Sequence, residues 1–111
     1  MKKRIIVLSI LFLLNITAFC TNLIGYLEGY NSYNQKQFPS QNTLVEIQSW
    51  NGSEWKTVAT TYTNNYGYYY FYDITPNAYY NLRINKSYNF QVYVEDKTKE
   101  HPQYIPSFVL K

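Results

Sequence analysis

Apolar and polar positions alternate with a period of two through much of the chain beyond position 22, most clearly in "YYYFYDI" at 68–74. Successive strand side chains point to opposite faces, so Tyr69 and Phe71 share one face and Tyr68, Tyr70 and Tyr72 the other. One of these sets is core. Ile74 is expected to plug the edge of the fold, and Pro76 ends the strand because it has no amide proton to give. Similar short segments, rich in Val, Ile, Thr, Tyr and Phe and separated by Asn, Gly, Pro and Ser clusters, fall at roughly 22–28, 43–49, 55–63, 67–72, 79–85, 88–95 and 103–110. No window carries a helical stripe. Seven such strands predict a single all-β domain, a two-sheet Ig-like sandwich.

Two connections stand out. "GYNSYNQKQFPSQN" at 29–42 is the longest, and a loop of that length is expected to be functional or mobile. "SWNGSEW" at 49–55 reads as a hairpin turn: Asn51-Gly52 suits positive φ, and Trp50 and Trp55 flank it in position to pack across the strands.

The amino end follows a different pattern. "KKR" at 2–4 precedes the apolar run "IIVLSILFLLNITAF" at 5–19, too short for a stable membrane span but suited to a secretory signal. Ala18 and Cys20 supply small residues at the third and last positions before a cut. The expected division is a signal peptide over 1–20 and a β-sandwich domain over 21–111, secreted or extracytoplasmic, with no membrane span in the mature chain. Cys20 is the only cysteine, so no disulfide framework can form and stability must come from packing. The alternative is retention and lipidation of Cys20, which would anchor the protein at the cell envelope. Phe19 stands where Gly or Ala is usual in that signal, so free secretion is favoured.

Cleavage also changes the charge. Three of the 10 Lys and Arg lie at positions 2–4, leaving seven against 7 Asp and Glu. A mature chain near neutrality with no basic run offers nothing to nucleic acid.

Thr63, Asn64, Gly67, Tyr69, Phe71, Ile74, Pro76, Asn77 and Tyr79 follow the spacing of a signature near T-D-x-x-G-x-Y-x-F-x-x-L-x-P-G-x-Y. "LIGYL" at 23–27 resembles an I-x-G-x-V opening strand, and Pro39 lies six residues before Val45 as in a P-L-x-G-A-x-V-x-L segment. Over positions 23–85 the chain thus resembles the prealbumin-like (transthyretin-like) domains of the carboxypeptidase regulatory-like and collagen-adhesin B-repeat type. The resemblance implies a prealbumin-like sandwich in a structural or adhesive setting. Asn64 replaces the usual Asp, Asn77 the usual Gly, and Asn42-Thr43 the usual Gly-Ala, changes a turn accepts because Asn tolerates left-handed φ. Some relatives form a Lys–Asn isopeptide bond beside a buried acid. With no Lys in 21–30 and no Glu in 63–76, no cross-link is expected. Transthyretin-like hydrolases share the general fold but need several histidines and a carboxyl-terminal Tyr-Arg-Gly-Ser, whereas this chain ends "SFVLK".

The residues themselves give catalysis little to work with. His101, the only histidine, sits in the polar "TKEHPQY" and has no evident nucleophile to serve. Glycoside hydrolysis needs two facing acids, whereas Glu28, Glu46, Glu54 and Asp73 are scattered and Glu95-Asp96 lie among lysines. One His and no D-x-D-x-D loop argue against a metal site. No enzyme activity, metal or cofactor is expected. Binding remains, through 14 Tyr, 6 Phe and 2 Trp. Tyr68, Tyr70 and Tyr72 form one candidate row, and Trp50 with Trp55 a second candidate site. Rings apolar on the face and polar at the tip suit either an extracellular protein, in a structural or adhesive module, or a glycan, in a carbohydrate-binding module. The tyrosine row is equally compatible with ordinary cross-strand packing under a neighbouring sheet.

Overall fold

The alternation at 68–74 reappears as burial in the computed structural model, which describes residues 20–98 and 101–111. The apolar run read as a signal peptide, at 5–19, lies outside these residues. Tyr69, Phe71 and Ile74 are buried while Tyr68, Tyr70 and Tyr72 are exposed. Phe71 and Ile74 both face inward although three positions apart, because β5 carries an extra residue there. Thr21 pairs with Ile74 and Leu23 with Phe71. Asp73 absorbs the bulge at φ 57, and its amide donates to Asn22 Oδ1 at 3.0 Å.

The described residues form nine strands: β1 (Thr21–Asn31), β2 (Lys36–Pro39), β3 (Leu44–Trp50), β4 (Trp55–Tyr62), β5 (Tyr68–Ile74), β6 (Ala78–Ile84), β7 (Tyr88–Val94), β8 (Gln103–Tyr104) and β9 (Phe108–Leu110). No helix occurs among the described residues. The protein is an all-β sandwich of two sheets, one centred on β1 and the other ordered β4-β3-β6-β7. Along one edge β1 pairs antiparallel with β5 and then β2. Along the opposite edge it pairs parallel with β8 and then β9.

The two strands beyond the expected seven have simple causes. The long first connection is a hairpin arm, in which β1 continues to Asn31 and β2 returns beside it. All four residues of β2 are exposed, so backbone pairing holds it and no apolar alternation marks it. The last segment is split in two at Ile105-Pro106, because proline cannot donate to a ladder.

Between the sheets lie Leu23 and Leu27 of β1, Tyr69, Phe71 and Ile74 of β5, Val45 and Ile47 of β3, Tyr80, Leu82 and Ile84 of β6, and Val92 and Val94 of β7. Gly25 faces inward opposite Tyr69, and a Cβ there would overlap the Tyr69 ring. The glycine is therefore a seat for the aromatic. Among the described residues the buried Tyr69 hydroxyl has no hydrogen-bond partner, and burial raises its pKa above the usual 10.0. Tyr80 fares better, donating to the Thr75 carbonyl at 2.6 Å. Tyr80 is the inward tyrosine after Pro76, whereas Tyr79, the residue matched to the family signature, faces solvent.

One flank of the sandwich is sealed. Gln103 accepts from the Glu95 amide at 2.7 Å and donates to the Tyr93 carbonyl at 2.8 Å, occupying backbone groups of the edge strand β7. Phe90 stacks on Phe108 at 3.7 Å, and Thr21 Oγ1 donates to the Glu95 carbonyl at 2.6 Å. On the opposite flank β4 and β5 end their sheets with no further strand among the described residues.

A denaturation series checks this core. Phe71→Ala is expected to cost about 3–5 kcal/mol, and Tyr70→Ser about 1 kcal/mol or less. Gly25→Ala is expected to cost several kcal/mol alone but much less beside Tyr69→Ala, since the two changes share one space. Equal losses at positions 70 and 71 would overturn the assignment of faces.

Candidate functional site

The turns that carry the aromatic strands are built by asparagine. Asn64 Oδ1 accepts from the amides of Tyr66 at 2.9 Å and Tyr68 at 3.1 Å, so an amide oxygen does here what a carboxylate oxygen would. Asn42 and Asn77 lie at φ 49 and φ 63, the left-handed values expected where glycine would otherwise stand. At the β3–β4 hairpin only Gly52 has positive φ. The loop is wider than a two-residue turn, closed by Asn51 N–H to the Glu54 carbonyl at 3.1 Å. Asn51 Oδ1 accepts from the amides of Ser53 and Glu54.

Tyr68, Tyr70 and Tyr72 lie on the outer face of the β1 sheet, 42%, 38% and 68% exposed. Tyr68 pairs with Tyr26, ring centroids 5.0 Å apart. Tyr70 pairs with Ile24, and Ile24 pairs on its other edge with the exposed Tyr104. The row expected from the sequence is thus part of a wider patch extending across three strands.

Trp50 and Trp55 pair directly across their hairpin, ring centroids 5.5 Å apart and planes at 64°. They lie on the outer face of the other sheet, so the two aromatic sets named from the sequence form two faces and not one site. The tryptophans have companions that sequence reasoning missed. The β3–β6 register, which pairs Ser49 with Tyr80, places Trp50 and Tyr79 on one rung, and Tyr79 pairs with Tyr93 at 5.0 Å and 64°. The missed signal was the alternation Tyr79, Asn81, Arg83 against Tyr80, Leu82, Ile84, which marks Tyr79 as outward.

Below this rung runs a chain of polar contacts. Asn81 Nδ2 donates to Asn89 Oδ1 at 2.9 Å and to Gln48 Oε1 at 2.8 Å, and Gln48 Nε2 donates to Thr57 Oγ1 at 3.2 Å. Thr57 Oγ1 donates to Glu46 Oε2 at 3.0 Å. Arg83 grips the same carboxylate through Nε and Nη2, each at 3.1 Å. Those donated hydrogen bonds hold the Glu46 carboxyl below its ordinary 4.5, outweighing the opposing effect of burial.

The remaining sequence candidates are dispersed. His101 is exposed, its amide bonded to the Thr98 carbonyl at 3.0 Å. Glu95 pairs with Lys97 at 3.5 Å on the surface. Cys20 is half-buried immediately before β1. A cleft of about 310 Å³ opens between β4 and β5, lined by Val58, Ala59, Tyr72, Asp73, Ile74 and Tyr80 among others. Asp73 is its one carboxylate. Among the described residues no group of three or more His, Cys, Asp or Glu lies close enough to hold a metal, and no helix is long and apolar enough to cross a membrane.

No family model and no curated protein matches the chain. The class is given by the architecture: an all-β sandwich of two sheets compatible with an immunoglobulin-like or prealbumin-like fold.

Glu46 supplies a pH test. A carboxyl whose folded pKa lies below its unfolded value stabilises the fold above about pH 4.5, and that contribution is lost as pH falls through the folded pKa. Urea denaturation from pH 7 to pH 3 is expected to show this acid loss in the native chain. In Glu46→Gln, stability at pH 7 should be lower and the acid limb flatter.

Proposed function

We propose that the protein is a secreted or surface-exposed, non-catalytic β-sandwich module of the prealbumin-like type, which docks an extracellular protein through the outer face of its β1 sheet. The observation that carries this reading is the patch of Tyr26, Tyr68, Tyr70, Tyr72 and Tyr104 around Ile24. Tyrosine offers a large contact area for the loss of few rotatable bonds, with a hydroxyl that bonds at the rim, and protein interfaces are enriched in it for that reason. The resemblance over 23–85 to adhesin and regulatory-like domains agrees with a structural or adhesive setting.

The extracytoplasmic assignment rests on the "KKR" head, the apolar run and the near-neutral remainder of the chain. β1 begins at Thr21, whose hydroxyl is bonded into the sealed flank. A cut after Cys20 would therefore leave every strand in place. Mass spectrometry of the protein from its producing cells is expected to find a chain starting near Thr21. An acylated Cys20 would instead support the lipid-anchored form, and an intact Met1 on cytoplasmic material would overturn export.

Docking is tested by placing a photo-crosslinking residue at position 70 and, as a control, at position 86 in the exposed turn between β6 and β7. Protein adducts are expected from position 70 on intact cells, lost when Tyr68 and Tyr72 are changed to Ser, with the melting temperature little altered. No adducts, or equal adducts from both positions, would sink the reading.

A further inference from the structure

We infer that the outer face of the β4-β3-β6-β7 sheet is a binding site for a single, uncharged oligosaccharide chain lying across the strands along Trp55, Trp50, Tyr79 and Tyr93. The inference rests on reading the protein as a non-catalytic binding module and concerns a face separate from the tyrosine patch.

The four aromatics occupy one rung, one from each strand in spatial order. Strands lie about 4.8 Å apart, so four of them extend the line over roughly 14 Å, the scale of a short oligosaccharide. Trp50, Tyr79 and Tyr93 are 53%, 63% and 42% exposed, with no strand or loop of the described chain laid over them. Ordinary sheet cover needs no such concentration, because the neighbouring rungs of the same face are polar.

The next rung holds Thr57, Gln48, Asn81 and Gln91. A sugar ring has an apolar face of C–H groups and a rim of hydroxyls that both donate and accept. Aromatic rings match the first. The exposed groups of this rung, the Gln91 amide with its donor and acceptor and the Thr57 hydroxyl, match the second, while Gln48 and Asn81 lie buried between them. The buried Gln48 and Asn81 bond to each other and to the exposed Thr57 and Asn89, which holds the exposed pair in place before any ligand arrives, and preorganisation of this kind lowers the entropy lost on binding.

Charge selects the ligand further. The only opposed charges in the polar ladder, Glu46 and Arg83, neutralise each other at 3.0 Å. A polyanion would find no unpaired cation on this rung pair, and a polycation no unpaired acid. Ring geometry selects the physical form. Within each aromatic pair the planes meet at 64°, so the rings share no common plane. A crystalline polysaccharide surface demands coplanar rings, whereas a single chain whose sugar units turn relative to one another can meet tilted ones.

The test is calorimetric titration of the full-length chain with soluble hexasaccharides of glucose, xylose and mannose, with an oligogalacturonate and crystalline cellulose as controls. At least one neutral hexasaccharide is expected to bind and to shift the indole N–H signals of Trp50 and Trp55. Trp50→Ala and Tyr79→Ala should each weaken it about tenfold or more. Trp50→Phe should keep most of the affinity, and Tyr70→Ser all of it. The inference is overturned if no neutral hexasaccharide binds, if the anionic or crystalline control is preferred, or if binding occurs without change in the indole signals or on loss of Trp50 and Tyr79. Such a failure alongside position-70 adducts removes the glycan site alone, and failure of both experiments removes the binding-module reading.

Discussion

The sandwich is organised around the Tyr69 ring seated over Gly25. A side chain at position 25 would occupy the space the ring fills, so the pairing of β1 with β5 and the filling of the core at that point are one constraint. Inward placement of Tyr69 fixes the parity of β5, and that parity turns Tyr68, Tyr70 and Tyr72 out. The orphan Tyr69 hydroxyl shows what the arrangement costs, since a buried donor without a partner is destabilising by about 1–3 kcal/mol. The bulge at Asp73 restores the core, bringing Ile74 inward where a regular strand would have pointed it away.

The two sheets use their outer faces differently. On the β1 sheet, aromatic and aliphatic side chains adjoin across strands and form a broad patch. On the other sheet, rungs change in character along the strands, from aromatic to amide and hydroxyl to the Glu46–Arg83 pair. Cross-strand neighbours on one rung contact each other directly, each pair contributing roughly 0.2–1 kcal/mol. This layered pattern stabilises the register and also presents chemically distinct bands to solvent. The flanks differ as well: Gln103 and the Phe90–Phe108 stack seal the β7 side, while the β4–β5 side opens into the cleft.

Much of the fold was legible because strand side chains repeat every second residue. The seven segments, the division of Tyr69 and Phe71 from Tyr68, Tyr70 and Tyr72, the asparagine turns and the Trp50–Trp55 pairing were all visible in that local pattern. β2 was not, because a strand held by backbone bonds and exposed at every position has no apolar signature. β8 and β9 pair parallel with a strand some eighty positions earlier, and nothing local announces such a partner. Tyr79 and Tyr80 illustrate the limit within one strand. The signature spacing matched Tyr79, but Leu82 and Ile84 share parity with Tyr80, and burying those three together leaves Tyr79 outside.

By itself, then, the amino-acid sequence determined the β class and the two alternating sets of side chains along strands such as β5, since these depend only on side-chain periodicity and turn chemistry, but not which tyrosines stayed free to meet a partner. Tertiary structure alone decided which strands became neighbours, and with that the separation of the Tyr68–Tyr70–Tyr72 row from the tryptophans and the union of Trp50 and Trp55 with Tyr79 and Tyr93. The reason is physical: a rung is assembled by register between strands distant in the chain, and register is set by the whole core closing at once.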